Sequence, residues 1–281
     1  MKRSLLVVLF LVAIPACSFS ETPSISWTPF EDRGEGAFTI DVPQGWAAEG
    51  GTYRFGYFDV RWMMDVHSPD GKILVRLNDA NVPPYELPAP SLPPEGQPYS
   101  KPQQFQMVVS RYRDGSAFAQ TYGKERFKSV CRNVTVKDIS WKPKPQDIPA
   151  GATVTQKSEG TFSYTCDTED GPRVAEIYAR TVSFPVQYGT GFWVTDPLVS
   201  ILATPENSAA AEAVAQHMIE SWKKNPQWET RQQQLTQAGA QLIQQNFQQF
   251  MGQIQAFHQA RVAAWNNQVA GFEAHQNAQA S

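Results

Sequence analysis

The chain has 281 residues and a formal net charge of −3, with 41% hydrophobic and 18% charged residues. That length suffices for one large or two small domains. Eight Trp and sixteen Phe exclude a disordered chain. The acidic balance, with no block of Lys and Arg, excludes nucleic acid as a main partner.

Lys2 and Arg3 precede a short apolar run from Leu5 to Ile14, followed by the small residues Ala16, Cys17 and Ser18. This order is that of a secretory signal peptide over residues 1–20, removed from the mature protein. Export places the chain in the periplasm, anchored at the outer membrane, or outside the cell. The phrase Ile14-Pro15-Ala16-Cys17 resembles the lipobox of bacterial lipoproteins, with Pro15 where a small or aliphatic residue is usual. The resemblance implies acylation of Cys17, and a lipid anchor there as the only membrane contact. The other reading is ordinary cleavage between Ala16 and Ser20. Beyond the signal, no apolar run approaches the ~18 residues of a membrane-spanning helix.

Residues 21–35 read as a lead-in with Trp27 and Phe30 against the domain edge. Phe38, Ile40 and Val42 alternate with Thr39 and Asp41 as a strand. The stretch Phe38-Thr39-Ile40-Asp41-Val42-Pro43-Gln44-Gly45-Trp46 resembles the opening of PsbP/Mog1-like domains. That resemblance implies an antiparallel sheet flanked by helices and a non-catalytic binding or assembly role. A hairpin follows. Phe58, Val60, Trp62, Met64 and Val66 share one face, Ser68-Pro69-Asp70-Gly71 forms the turn, and Ile73, Val75 and Leu77 continue that face. Asp59, Arg61, Asp65, His67, Lys72 and Arg76 line the opposite, polar face, either as solvated cross-strand ion pairs or as a contact surface. Tyr53, Phe55 and Tyr57 read as core or edge packing, the alternative being an aromatic platform for sugars.

Pro83, Pro84, Pro88, Pro90, Pro93, Pro94, Pro98 and Pro102 make residues 82–102 an extended surface crossing, pinned by Tyr85, Leu87 and Leu92. Ser100 and Gln103 have the spacing of a capping box, and Phe105, Val108, Val109 and Tyr112 have helical spacing after it. A second short helix is expected over 116–127. Four strands follow over 130–141, 152–166, 173–184 and 192–203, separated by turn residues and expected to form an antiparallel meander. Glu159-Gly160 reads as an interruption, and a bulge is expected near Lys137-Asp138. Thr204-Pro205 opens a helix with an apolar stripe of Ala211, Val214, Ala215, Met218, Ile219 and Trp222, stopped at Asn225-Pro226. An exported chain with two cysteines in its folded part pairs them, so Cys131 and Cys166 are expected to form a disulfide, the alternative being two buried thiols.

Residues 225–281 are rich in Gln and Ala. Phe247, Phe250, Ile254, Phe257 and Trp265 form an apolar stripe along an expected long helical arm. Either the arm folds back on the body, or it takes a protein partner or a second copy. None of the four His has metal-ligand spacing, and the sequence contains no nucleophile elbow, P-loop or dinucleotide fingerprint. No catalytic residue, metal or cofactor is therefore assigned. The expectation is an α+β domain over 21–224, an antiparallel sheet covered by helices on one side, with a helical arm. Its function is a non-enzymatic exported envelope module acting through protein contacts. The alternative is small-molecule or glycan binding between the sheet and the Pro-rich crossing, and less favoured is a hydrolase using His67.

Overall fold

The computed structural model describes residues 25–55, 59–100, 106–137, 141–145, 147–148, 153–185, 191–237, 252 and 255–265. The expected signal peptide with Cys17, and Phe247, Phe250 and Ile254 of the expected C-terminal stripe, lie outside these residues.

The strands in chain order are β1 (Trp27–Glu31), β2 (Phe38–Pro43), β3 (Ala47–Arg54), β4 (Val60–His67), β5 (Ile73–Leu77), β6 (Tyr85–Glu86), β7 (Pro98–Ser100) and β8 (Gln106–Val109). They continue with β9 (Arg132–Lys137), β10 (Gln156–Thr168), β11 (Gly171–Phe184), β12 (Phe192–Ala203) and β13 (Lys223–Lys224). The helices are α1 (Gly115–Arg126), α2 (Ser208–Ser221) and α3 (Pro226–Gln237), followed by α4 over residues 255–265. Among the described residues, ten strands form one sheet in the order β3-β4-β5-β12-β11-β10-β9, with β6, β7 and β8 on a branch from β12. β1, β2 and β13 form a separate small sheet. The expected hairpin and the four-strand meander both lie in the large sheet, with antiparallel registers. The fold is mixed α+β and mostly sheet.

Helices cover both faces of the sheet, which corrects the expectation of one covered side. Along β11, Ala175, Ile177 and Ala179 pack with Phe118 of α1, whereas Tyr178 packs in the core beneath α2. Along β12, Leu198 faces the α1 core, whereas Val199, Ile201 and Ala203 face Ala211, Val214, Ala215 and Met218 of α2. Successive side chains of a strand point to opposite faces, so strands apolar at adjacent positions need cover on both sides. The α2 stripe is buried as its spacing requires. β2 closes over the same core with Phe38, Ile40 and Val42.

Two local expectations are also corrected. Residues 106–109 are strand, not helix: β8 pairs with β6 and β7. Gly160 does not interrupt β10, which runs unbroken through it. A Cβ there would come within 2.2 Å of Ser116 N, so the glycine admits the first turn of α1 against the strand. A bulge lies where Thr165 and Asp167 of β10 oppose Thr135 and Arg132, with the extra residue on β9; Asp138, where one was expected, lies outside the described residues. Cys131 and Cys166 are disulfide-bonded, with Cα atoms 5.3 Å apart, and tie the chain after α1 to β10.

The described parts of the C-terminal region rest on the body. Trp228 Nε1 of α3 donates to Glu35 Oε2 at 2.8 Å, and Arg54 Nη2 donates to Gln232 Oε1 at 2.8 Å. In α4, the His258 ring lies edge-on to Tyr53 at 5.0 Å, and Trp265 lies 5.4 Å from the His67 ring.

Candidate functional site

The polar face of the hairpin is buried. α1 and α4 lie over it, so the solvated ion pairs expected there are not formed in water. Asp65 and Arg76 are directly opposed across β4 and β5, and Arg76 Nε donates to Asp65 Oδ1 at 2.6 Å. Asp65 is 1% exposed and Arg76 7%. Arg76 Nη1 reaches Asp79 Oδ2 at 3.1 Å, and the Tyr122 hydroxyl of α1 donates to the same oxygen at 2.8 Å. Burial pushes the Asp79 carboxyl up, but the Arg76 charge, the Asn81 N–H and Tyr122 outweigh it and hold it below the usual range. Burial works against the Arg76 cation, but the Asp65 hydrogen bonds and the two carboxylates hold it protonated. This network is structural. Only Lys72 of the polar set stays in water, paired with exposed Asp70 at 3.6 Å.

His67 is not assembled for catalysis. Its neighbour Asp65 is committed to Arg76, and Nε2 of His67 is buried without a hydrogen-bond partner among the described residues. Burial lowers its pKa despite the nearby Asp65 charge, and the Arg126 and Arg76 cations add to the shift, so the ring is neutral. Among the described residues, no group of three or more His, Cys, Asp or Glu is placed to hold a metal ion.

Asp59 and Arg61 stand elsewhere, where the sheet forks. β12 pairs with β5 over Val199–Ala203 but with β6 at Phe192 and Trp193. β4 pairs with β5 only from Met64 to His67. The divergence begins at Asn78, which sits at φ 55°. Its amide oxygen accepts from Leu198 N at 2.9 Å, and its own N–H donates to Leu198 O at 2.6 Å. That exchange extends the ladder by one residue, and the chain then turns away through Asp79.

The two branches enclose a cleft of about 410 Å³ under the start of the Pro-rich crossing. Trp62, Phe192 and Met107 give it apolar walls, Pro83 and Pro84 roof it, and Asp59, Asn78 and Glu86 supply polar groups. Glu86 is 5% exposed. Arg61 braces the cleft: it grips Asp59 through both oxygens. It also donates Nη1 to Ala80 O at 2.7 Å and Val82 O at 3.2 Å. Its guanidinium lies 4.2 Å from the Phe55 ring centre. Tyr85 pins the crossing by stacking on Trp193 at 4.1 Å. Trp62 stacks on Trp222 at 5.5 Å, and past them the fork opens into a wider groove of about 870 Å³ on the α2 face.

Of the residues singled out from sequence, the structure therefore brings Asp59 and Arg61 to the cleft and Asp65 and Arg76 to a buried brace. His67 and Trp265 come together under α4, and Phe257 stays 42% exposed. Tyr53 is buried edge packing beneath His258, not an exposed platform. Tyr57 lies outside the described residues. Sequence reasoning missed Asn78, Glu86 and Phe192. Asn78-Asp79 directly after an apolar strand was the available signal, because Asn tolerates positive φ where a strand must stop.

No protein-family model matches the chain, and no curated protein matches it. Solved structures similar to it include cyanobacterial PsbP (CyanoP) from Synechocystis, at 10% identity and a TM-score of 0.28, covering 75% of this chain and 99% of that one. LpqN of Mycobacterium tuberculosis, described as involved in cell envelope biogenesis, matches at 10% identity and a TM-score of 0.25, covering 72% of this chain and 92% of that one. PsbP is one of the two names in the family that Phe38–Trp46 resembles.

Proposed function

We propose that this chain is an exported, non-enzymatic binding module whose ligand occupies the cleft at the fork of the sheet. The observation that carries the reading is the cleft itself. Its volume falls within the roughly 300–1,000 Å³ of small-molecule sites. It joins two aromatic side chains, Trp62 and Phe192, to a few convergent polar groups. Flat aromatic walls beside carboxylate and amide acceptors suit a small polar ligand with apolar faces, and a sugar unit has that chemistry. Arg61 is saturated by Asp59 and two backbone carbonyls, so it shapes the cleft and does not recruit an anion. The neutral, unoriented His67 and the buried Asp65–Arg76 pair support a non-catalytic role.

Thermal melting in the presence of glycan fragments and small polar metabolites tests this. A ligand at a hundred times its Kd adds about 2.7 kcal/mol, a rise of roughly 5–11 °C for a domain of this size. The rise is expected to vanish in Trp62→Ala and Glu86→Gln. A ligand that shifts the wild type and both variants equally binds elsewhere and refutes the assignment.

A second reading, protein contacts or self-association through the C-terminal arm, is favoured by Leu235, Phe257 and Val262. These side chains of α3 and α4 are 40–42% exposed although both helices rest on the body. In this reading residues 225–281 form an arm held against the body at its described parts, with an apolar outer surface available to a partner. Mass by light scattering of the mature chain tests it: a monomer at every concentration and no captured partner would rule it out.

A further inference from the structure

We propose that a second pocket, at the seam of α3, α4 and the β3 edge, binds an anionic group carried on an apolar or aromatic body. The site is independent of the cleft. β3 lies at one edge of the sheet, and that edge is closed by a loop built on Asp32. That carboxylate accepts five hydrogen bonds, from the N–H groups of Gly34, Glu35, Ala37 and Thr52 and from the Thr52 hydroxyl. α3 docks on one side of this edge through Trp228 and Gln232, and α4 on the other through His258. A pocket of about 500 Å³ remains between them, large enough for an organic ligand rather than a bare ion.

Three guanidinium groups line it: Arg54, Arg231 and Arg261. Arg54 is neutralised by Glu35, with Nε–Oε1 at 2.9 Å and Nη2–Oε2 at 2.8 Å. Among the described residues neither Arg231 nor Arg261 forms an ion pair. Arg231 is exposed. The Arg261 guanidinium lies 4.9 Å from the Tyr53 ring centre and 5.5 Å from that of Phe257. Its Nη1 is buried and has no hydrogen-bond acceptor among the described residues. A buried guanidinium N–H without an acceptor is unfavourable, and a planar guanidinium is best satisfied by a carboxylate, sulfate or phosphate.

Two carboxylates lie near it without forming an ion pair with it. Asp32 is turned into the loop by its five hydrogen bonds, which hold its carboxyl below the usual range against burial, and burial pushes the Glu49 carboxyl up although Arg261 opposes the shift. Burial and the Arg261 charge likewise hold His258 below its usual range, so the ring adds no charge. The pocket therefore presents two guanidinium groups, Arg231 and Arg261, that form no ion pair among the described residues. Tyr53, Trp228 and Phe257 supply its apolar walls.

Gly51 shows that the sequence makes room for this arrangement. It sits at φ +137°, and a Cβ there would come 2.6 Å from Arg261 Nη1 and 2.5 Å from Asp32 Oδ1. A glycine is what lets the guanidinium lie against the strand.

The chemistry is shared by a free amphipathic anion and by the headgroup of an anionic lipid, and the test separates them. Titration calorimetry on the mature full chain would use inorganic phosphate and monomeric hexyl phosphate. Sedimentation would use phosphatidylglycerol and phosphatidylcholine vesicles. Hexyl phosphate is expected to bind at least tenfold more tightly than inorganic phosphate. Arg231→Gln, a substitution at an exposed residue, is expected to weaken it at least fivefold, and Arg261→Gln at least tenfold. Trp62→Ala is expected to leave this binding unchanged, so failure here and failure of the cleft are distinguishable. Binding to phosphatidylglycerol vesicles that is lost in Arg231→Gln supports the site with a lipid headgroup as the source. Binding of hexyl phosphate without vesicle binding supports it with a free anion. The proposal is overturned if hexyl phosphate binds no better than inorganic phosphate and phosphatidylglycerol vesicles no better than phosphatidylcholine. It is equally overturned if binding survives intact in Arg231→Gln and Arg261→Gln.

Discussion

Replacing Arg76 by Met keeps a long apolar stem and removes the guanidinium from beneath α1 and α4. Asp65 then loses both of the hydrogen bonds it makes among the described residues, because each goes to Arg76. At 1% exposure it has no water in exchange. Asp79 is hurt less, since the Asn81 N–H and the Tyr122 hydroxyl remain. Removing one partner of a buried pair costs about 3–5 kcal/mol, far more than the 0–1 kcal/mol of a solvated one. For a domain of this size that is a fall in Tm of roughly 6–20 °C. Urea unfolding of the mature chain followed by circular dichroism gives the free energy directly. Asp65→Leu combined with Arg76→Met should recover most of the loss, because an apolar pair of similar volume replaces a buried ion pair at little net cost. A loss below 1 kcal/mol for Arg76→Met would mean that the hairpin face is solvated, and the cover by α1 and α4 would be refuted with it.

Three further predictions follow from other parts of the fold. Glu176 of β11 lies beneath α2, and burial, reinforced by neighbouring Glu212 and only partly offset by Ser208, pushes its carboxyl up to about 7. Because the folded pKa is raised, that stability is complete below about pH 4.5 and is lost as pH rises towards about 7; Glu176→Gln should remove this slope, on the order of 3 kcal/mol, from the pH dependence of urea unfolding. Replacing Cys131 and Cys166 by Ala opens a loop with a sequence separation of 35. The chain-entropy relation gives about 4 kcal/mol for it, and a change below 1 kcal/mol between the oxidised wild type and the variant would contradict the bridge's role. Ending the chain at Gln237 removes α4 and its ring contacts with Tyr53, Phe55 and His67. The truncated form should stay folded and lose about 2–4 kcal/mol, and equal stability of the two forms would show that α4 does not hold these contacts.

The strands were legible where one period governed a long run. The hairpin alternates cleanly, and the strands that became β10, β11 and β12 are apolar runs bounded by turn residues, paired antiparallel in the large sheet. The α2 stripe was legible for the same reason. Residues 106–109 were not, because Val108 and Val109 fit a helical period with Phe105 and Tyr112 by chance while pairing with β6 and β7 decides the outcome. Propensity over so few residues yields to tertiary pairing. Gly160 misled in the opposite way: the glycine belongs to a helix–strand contact made with a distant part of the chain. Alternation also says which residues share a face and nothing about what covers it. Asp65, His67 and Arg76 were correctly placed together, and their burial depends on α1 and α4, which the local pattern does not contain.

That burial redirects the search for function. A long polar hairpin face reads as the obvious contact surface, and the chain spends it internally, as a brace between the sheet and two helices. What remains available lies where the regularity of the sheet fails. At Asn78 a strand ends one residue past its ladder, and the fork left behind is the cleft. At Gly51 the edge strand gives up its side chain, and the space is taken by Asp32 and Arg261. Both departures use residues that tolerate backbone conformations closed to most side chains. Both expose aromatic walls beside polar or charged groups. The two proposed sites differ in character, the cleft offering acceptors and the seam offering cations, so they call for unlike ligands. Single substitutions at Trp62 and Arg231 should therefore each weaken one binding event without touching the other.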